Sequence, residues 1–585
     1  MAMHQDGHGG NNIPDSRNCN FFASDKELAA LLSLHLGDEY YSSIKEQLFD
    51  LGGRITAELD ELALLADRNP PVLYPRNRRA ESVDHIEKHP AYIKLEKVAY
   101  SELGLASLSH DGKNNPPLLK YALTYLFVQA EFGLCCPVSM TDSLTRTLCK
   151  FGEPELVARY LPHLSSRNFD QLYQGAMFIT EQQAGSDVGQ VATRAVRGQA
   201  ADGSEQWQLY GDKWFCSNPD ADLAMVLARP EGAPEGIHGL GLFLLPKQLP
   251  DGTRNAYRIV RLKPKMGTRS MASGEIVLQG ATAYLIGQIG RGFQQMADMI
   301  NMSRLSNGVR SAGLMRRALS EALFVAGQRQ AFGKRLIDMP LMQRQLLKML
   351  LPTEQGRSMF MHTAQMLGRA DAGDAGDASA QGAVRLLTPL IKFRTCRDAR
   401  RVTGDAMEVR GGLGYIEEWS DARTVRDAHL GSIWEGTSNI VALDILRAVK
   451  RAGALPPLLA HARALLDEAQ LPAASDQLFR RLLQRAADNL VQLAERGEEQ
   501  SVRQAGSLFY HVLTALFMAW EGAQLAPNYR RLALAHLVLR HRVLPQDPMQ
   551  LDDAALPVGL ATKLLADQDI NLDEAMTCLP AGAQP

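Results

Sequence analysis

Glu435 stands in Ser432-Ile-Trp-Glu-Gly-Thr-Ser-Asn-Ile440, between an indole and a glycine. A carboxylate beside Trp434 and away from water has its pKa raised toward neutral pH, as a general base requires. Upstream, Met407-Glu-Val-Arg-Gly-Gly-Leu-Gly-Tyr415 supplies glycines 411, 412 and 414, which let a backbone pass close to something large. Between the two, Arg423-Thr-Val-Arg-Asp427 carries charges able to brace a turn. Read alone, the segment is equally a glycine-rich turn between helices with a solvated Glu.

Three other stretches have matching chemistry. Met177-Phe-Ile-Thr-Glu-Gln-Gln-Ala-Gly-Ser-Asp187 gathers backbone N–H groups and a hydroxyl at Ala184-Gly185-Ser186, suited to a phosphate or a polar ring edge. The bland alternative is a strand-to-turn junction. Lys213-Trp-Phe-Cys-Ser-Asn218 places aromatics before a hydroxyl, which can stack on a flat ring and bond its edge. It also fits a half-buried strand with Trp214 in the core. Arg329-Gln-Ala-Phe-Gly-Lys334 suits a pyrophosphate or a solvated helix end.

The elements that must hold these residues follow from periodicity. From Asp25 to about residue 170 the apolar spacing is helical, starting with a capped Ser24-Asp25-Lys26-Glu27 and broken at Pro70-Pro71. From 171 to 290 strand-length runs such as Ala224–Ala228 and Gly241–Leu245 alternate with turns such as Asn218-Pro-Asp, predicting a β-barrel or sandwich. Residues 291–449 return to helical spacing, and 450–585 continue it as a C-terminal extension. That extension is expected to bury its amphipathic faces in subunit assembly. Residues 1–24, rich in Gly, His and Asn at their start, read as a disordered tail. Segregated helices and strands indicate an α+β fold. No GxGxxG follows a strand, which disfavours a doubly wound dinucleotide fold.

A chain of 585 residues, 45% hydrophobic and 22% charged, is globular and multidomain. Its net charge of −2 gives no global field toward nucleic acid or anionic lipid. Seven scattered cysteines without a CxxC pair predict a reducing compartment and no metal site. No stretch reaches the roughly 20 apolar residues of a membrane span, and no apolar run marks a signal peptide, so a cytoplasmic, non-membrane protein is expected.

In this order and spacing the four motifs resemble the acyl-CoA dehydrogenase flavoproteins, over about residues 137–447. Asn69-Pro-Pro, Cys136-Pro-Val-Ser-Met-Thr141, Leu249-Pro-Asp-Gly-Thr-Arg-Asn255 and Ser432-Ile-Trp-Glu-Gly are most similar to the family's AidB-like, alkylation-response branch. The resemblance implies an N-terminal helical domain, a middle β domain and a C-terminal four-helix bundle, with FAD between the last two. It also implies a homo-oligomer, dimer or tetramer, acting in fatty acid metabolism.

By that resemblance Met177, Ile179, Thr180, Gly185 and Ser186 line the flavin and the CoA phosphate side. Phe215 and Ser217 stand where the family has a Trp and a Thr beside the isoalloxazine. Arg329, Phe332, Glu408, Gly411 and Gly412 reach the FAD of a neighbouring subunit, and Thr437 and Asn439 close on the diphosphate. Glu435 is the base that takes the α-proton of an acyl-CoA, and Arg304 orients it. The alternative family position of the base is Ser303 here, which cannot serve. Asn301, Met177, Glu408 and Trp434 depart from the family's usual Asp, aromatic, Gln and Tyr. Electrons would leave to an electron-transfer flavoprotein.

The competing reading is a stress-response protein that binds DNA through its C-terminal region. From Arg451 to Pro585 there are 12 Lys+Arg against 15 Asp+Glu, a net of −3. Phosphate contacts need the opposite sign, so the enzyme is favoured over DNA binding.

Overall fold

The computed structural model describes residues 13–199, 205–372, 377–545, 547, 549, 556, 557 and 559–580. The β domain is built from β1 (Val72–Arg76) and β2 (Ser82–Glu87), an outlying hairpin, and seven strands that follow. These are β3 (Gly175–Phe178), β4 (Arg194–Gln199), β5 (Glu205–Ser217), β6 (Leu223–Pro230), β7 (Gly241–Pro246), β8 (Tyr257–Leu262) and β9 (Ser273–Ile286). β6 pairs with β7, β7 with β9, β9 with β5, β5 with β4, and β4 returns to β6, so the sheet closes on itself. β3 and β8 extend it at β6 and β9.

The continuous apolar run in β6 has a two-sided cause. Ala224, Val226 and Ala228 face the barrel interior with Trp207 and Phe243. Leu223, Met225 and Leu227 face outward against Leu144, Met296 and Met299 of the helices. A strand buried on both faces loses its polar alternation.

The helical bundle consists of Gly292–Gln328, Pro340–Ala370, Ala378–Arg410 and Ser438–Arg451, with Ser420–Gly431 as a shorter brace. The first and third helices approach closely at Gly308, where a Cβ would come within 2.7 Å of Ile391. That approach brings Arg304 and Lys392, on neighbouring turns of the two helices, to the same loop.

Two expectations are corrected. The tail assigned to residues 1–24 is packed over its described part. Ser16 donates to Glu321 at 2.7 Å, Thr56 donates to the Cys19 carbonyl at 2.6 Å, and Phe21 and Phe22 are buried. Residues 1–12 lie outside the described residues. The C-terminal extension, expected at a subunit contact, instead packs on its own chain. Helix Val502–Gln524 is almost wholly buried and shares one hydrophobic core with the bundle and the N-terminal helices.

A buried ionic network joins those three parts. Arg357 pairs with Asp25 at 2.6 Å, with Glu27 at 3.3 Å and with Glu354. Arg531 pairs with Glu27, Glu354 and Glu521 at 2.6–2.8 Å, and Arg530 with Glu27 and Asp567. Each ion has lost its water, so every partner is needed. Among the described residues no helix is long and apolar enough to cross a membrane.

Arg357→Met removes the cation shared by Asp25, Glu27 and Glu354, leaving them only Arg316, Arg530 and Arg531, and a loss of about 3–5 kcal/mol is expected. Urea denaturation measures it. A loss near that of a surface substitution would show that the network does not hold the three parts together.

Candidate functional site

Glu435 adopts a left-handed backbone, φ 56°, followed by Gly436 at φ 96°. A non-glycine residue in that region is strained and persists only when its surroundings impose it. Here two cations impose it. Arg304 Nε donates to the Glu435 carbonyl at 3.0 Å, while its Nη1 pairs with Asp444 at 2.8 Å. Lys392 Nζ donates to the Gly431 carbonyl at 2.8 Å and the Gly436 carbonyl at 2.9 Å, spanning the loop. Asn307 adds a bond to the Gly431 carbonyl at 2.9 Å. Asp444 is itself fixed by Arg385 at 2.6 Å. Sequence reading named Arg304 for this task, and its bond goes to the backbone of Glu435.

The electrostatics follow from burial. The Glu435 carboxyl is raised above its ordinary value, chiefly by desolvation, against the nearby Ser303 hydroxyl and the charges of Arg304, Lys392 and Arg310. Burial pushes Lys392 down to about 8. Trp434 stacks on Phe132, ring centroids 5.8 Å apart, and the Arg310 guanidinium lies 4.9 Å from its centroid and 5.6 Å from that of Phe132, so the three form one contact group.

The strand domain presents its motifs beside this loop. Thr180 accepts from the Trp214 backbone N–H at 2.8 Å. Lys213 Nζ pairs with Glu181 at 2.6 Å, both buried, which locks the Met177–Asp187 motif to the Lys213–Asn218 motif. Burial lowers the Lys213 pKa, and Lys213 holds Glu181 below its usual range despite burial. Met177, Ile179 and Trp434 pack against one apolar cluster. Cys136, in the same cluster, lies close enough to Glu435 and Ser217 for both to influence its thiol.

Phe215 is 57% exposed, with the Lys263 ammonium 4.5 Å from its ring. Beside it opens a cavity of about 510 Å³ lined by Asp67, Lys263, Lys265, Met271, Ser273 and Glu417. Burial lowers Lys265 to about 8. The exposed Phe215 ring beside Lys263, with the Lys263 and Lys265 ammonium groups lining the cavity, suits a flat ring with polar edges. Gly185 and Ser186 lie exposed on the following loop, and a Cβ on Gly185 would meet nothing. Trp214 is only half-buried, so it is not the core residue that a plain strand reading allows.

The remaining candidates form a second group. Arg329 Nη1 donates to the Arg410 carbonyl at 3.3 Å, beside Gly411 and two residues beyond Glu408. Phe332, at the tip of a two-residue hairpin, is 97% exposed with φ 52°. Lys392 and Arg410 sit on one helix, 18 residues apart, so the two groups are separated by about 27 Å along it at ~1.5 Å per residue. Thr437 and Asn439 follow Glu435 at the start of helix Ser438–Arg451, and Asn439 accepts from Arg503 at 3.3 Å.

Sequence reading missed Lys392, Asp444, Arg385 and Arg310. Lys392 carried one signal, a lysine inside the apolar run Leu386–Phe393. The Arg423–Asp427 cluster does brace, but across domains. Arg423 reaches Asp60 and the Ala130 carbonyl, Arg426 reaches Asp67, and Asp427 accepts from the Thr268 N–H at 2.6 Å.

Three family models match in order: "Adaptive response protein AidB N-terminal domain" over residues 11–171, "Acyl-CoA dehydrogenase, middle domain" over 176–281, and "Acyl-CoA dehydrogenase, C-terminal domain" over 290–450. The "Putative acyl-CoA dehydrogenase AidB" of Escherichia coli (strain K12) is 35% identical over 458 residues, 76% of this chain and 81% of that one. The structure of Caenorhabditis elegans ACDH-11 in complex with C11-CoA superposes with a TM-score of 0.85 at 26% identity, covering 93% of this chain and 95% of that one. An acyl-CoA dehydrogenase complexed with FAD from Bacillus anthracis has the same fold, with a TM-score of 0.66 at 20% identity over 83% of this chain and 88% of that one.

Arg304→Gln removes a charged bond to the Glu435 carbonyl but leaves Asp444 paired with Arg385. A loss of about 1.5–3 kcal/mol is expected, read by denaturation. A neutral result would mean that Arg304 does not hold the left-handed turn.

Proposed function

Because the chain belongs to the acyl-CoA dehydrogenase family, we propose that it is a FAD-dependent enzyme that converts an acyl-CoA thioester to its 2-enoyl-CoA. The observation that carries this reading is a strained carboxylate with a raised pKa, Glu435, in a loop whose Trp434 packs in the same apolar cluster as Met177 and Ile179 of the strand domain. Bound FAD would supply the hydride acceptor for the β-carbon. Met177, Ile179, Thr180, Phe215 and Ser217 would hold its ring, with Gly185 and Ser186 toward the phosphates.

Glu435 takes the α-proton onto its carboxylate. The Glu435 backbone N–H would be the donor that polarises the thioester carbonyl. Arg304 and Lys392 act by position, fixing the loop while remaining bonded to carbonyls. Trp434 excludes water and strengthens the charges around the base.

The second group supports an oligomer. Arg329, Phe332, Glu408, Gly411 and Gly412 lie too far along the helix to share the ring that Glu435 faces. They are available to the cofactor of another copy, with Thr437 and Asn439 closing on the diphosphate of their own. An electron-transfer flavoprotein in the same compartment, the cytoplasm, is the acceptor that fits.

Nucleic-acid binding finds less support. Of the arginine pairs in the extension, Arg530 and Arg531 are buried in the ionic network, and Arg480 is paired with Asp467 and Asp476. They are occupied by carboxylates, where phosphate contacts need accessible cations.

Glu435→Gln is expected to purify yellow yet show no flavin reduction when mixed anaerobically with straight-chain or branched acyl-CoAs. Normal reduction by the variant would remove Glu435 as the base. In the wild type the base must be ionised, and its folded-state pKa is raised. The reduction rate should therefore fall on the acid side at a pH above the ordinary glutamate range, about 4.3. An acid limb at or below that range would contradict a desolvated base.

A further inference from the structure

Away from the Glu435 loop, three side chains from distant parts of the chain converge in the helical core. His35 lies on helix Lys26–Leu36, His362 on Pro340–Ala370 and Glu521 on Val502–Gln524. All three are buried, and one ligand atom of each lies within 4.8 Å of the others. Glu521 Oε1 is 3.6 Å from His35 Nε2 and 3.5 Å from His362 Nε2. Those separations exceed a good N–H···O hydrogen bond, and none of the three atoms has a hydrogen-bond partner.

Three orphaned polar atoms aimed at one point are costly in a packed interior. The Glu521 carboxylate is also held so as to present that oxygen. Its Oε2 accepts from Ser358 at 2.8 Å and from Arg531 at 2.7 Å, leaving Oε1 for the histidines. Arg531 cannot neutralise it alone, because the same guanidinium serves Glu27 and Glu354. A protonated imidazole would bring a further charge into a wall of Phe517 and Trp520, at the cost of desolvating it. The neutral ring offers a lone pair, which leaves an external cation or a water as the missing partner.

Two of the three donor separations, 3.5 and 3.6 Å, suit a shared cation, and the third is within 4.8 Å. An ion about 2.0–2.1 Å from each of three donors leaves them roughly 3.0–3.6 Å apart, from right-angle to trigonal arrangement. Two imidazole nitrogens and one carboxylate suit zinc and its neighbours, whereas calcium and magnesium take oxygen ligands. The walls are apolar and rigid: Phe517 stacks on His362 at 3.9 Å, and Trp520 lies 5.4 Å from His362 and 5.7 Å from His35.

We propose that His35, His362 and Glu521 bind one divalent transition-metal ion of the zinc type, with a water in the fourth position. It would be a structural staple between the N-terminal helices, the bundle and the C-terminal extension. The site contains no residue assigned to the acyl-CoA chemistry.

The test uses the full chain without a polyhistidine tag, expressed with added zinc, dialysed and analysed by inductively coupled plasma mass spectrometry. About one zinc per chain is expected, and its removal by a strong chelator should lower the melting temperature by several degrees, restored by zinc. Glu521→Gln and His362→Gln should lose the metal, while the wild-type measurement stands if either variant fails to fold. A metal-free wild type that takes up no zinc and melts unchanged would overturn the proposal in favour of a trapped water. Full metal content in folded variants would equally overturn it, by placing the ion elsewhere, for instance on His4 and His8 of the N-terminal segment.

Discussion

A glutamate held in a backbone conformation that glutamate avoids is the constraint on which the site depends. Left to itself, the Glu435 turn would relax to an ordinary right-handed one. It does not, because Arg304 and Lys392 reach it from two helices and bond the Gly431, Glu435 and Gly436 carbonyls. Those helices can approach because Gly308 presents no side chain to Ile391. Asp444 and Arg385 hold Arg304, and Phe132 and Arg310 hold the indole beside the carboxylate. The Glu435 carboxylate is positioned by backbone geometry, and desolvation raises its pKa.

The larger architecture repeats this device of charge fixed in the interior. Lys213 and Glu181 join two motifs of the barrel. Asp427 and Arg423 tie the bundle to the barrel and to the N-terminal helices. Arg357 and Arg531 bind the N-terminal segment and the C-terminal extension to the bundle. Such pairs add little net stability over an apolar core, but a misdocked arrangement would strand several charges at once. They make one relative placement of the parts far better than its alternatives, which a site assembled from two domains requires.

The segregation of helices and strands was legible because the apolar period changes near residues 171 and 290. Glu435 was legible from its neighbours Trp434 and Gly436, and its partner Arg304 only through the family resemblance. Lys392 was not, because its partners are carbonyls some forty residues away, and carbonyls leave no trace in residue types. The N-terminal segment was misjudged because Gly, His and Asn dominate its start, while Ser16, Cys19, Phe21 and Phe22 find partners in distant helices. The extension was assigned to another subunit because amphipathic spacing shows that a face is covered without showing by what. The His35, His362 and Glu521 cluster has no short-range spacing at all, so only the folded chain reveals it.

The central claim is that Glu435 itself moves the α-proton. It is tested most directly by incubating the enzyme anaerobically with a saturated acyl-CoA in deuterated water and following solvent deuterium into the α-carbon by mass spectrometry. The account predicts incorporation by the wild type, and none above background by the Glu435→Gln enzyme carrying its full flavin. Undiminished incorporation by that variant would contradict it, because another group would then be removing the proton.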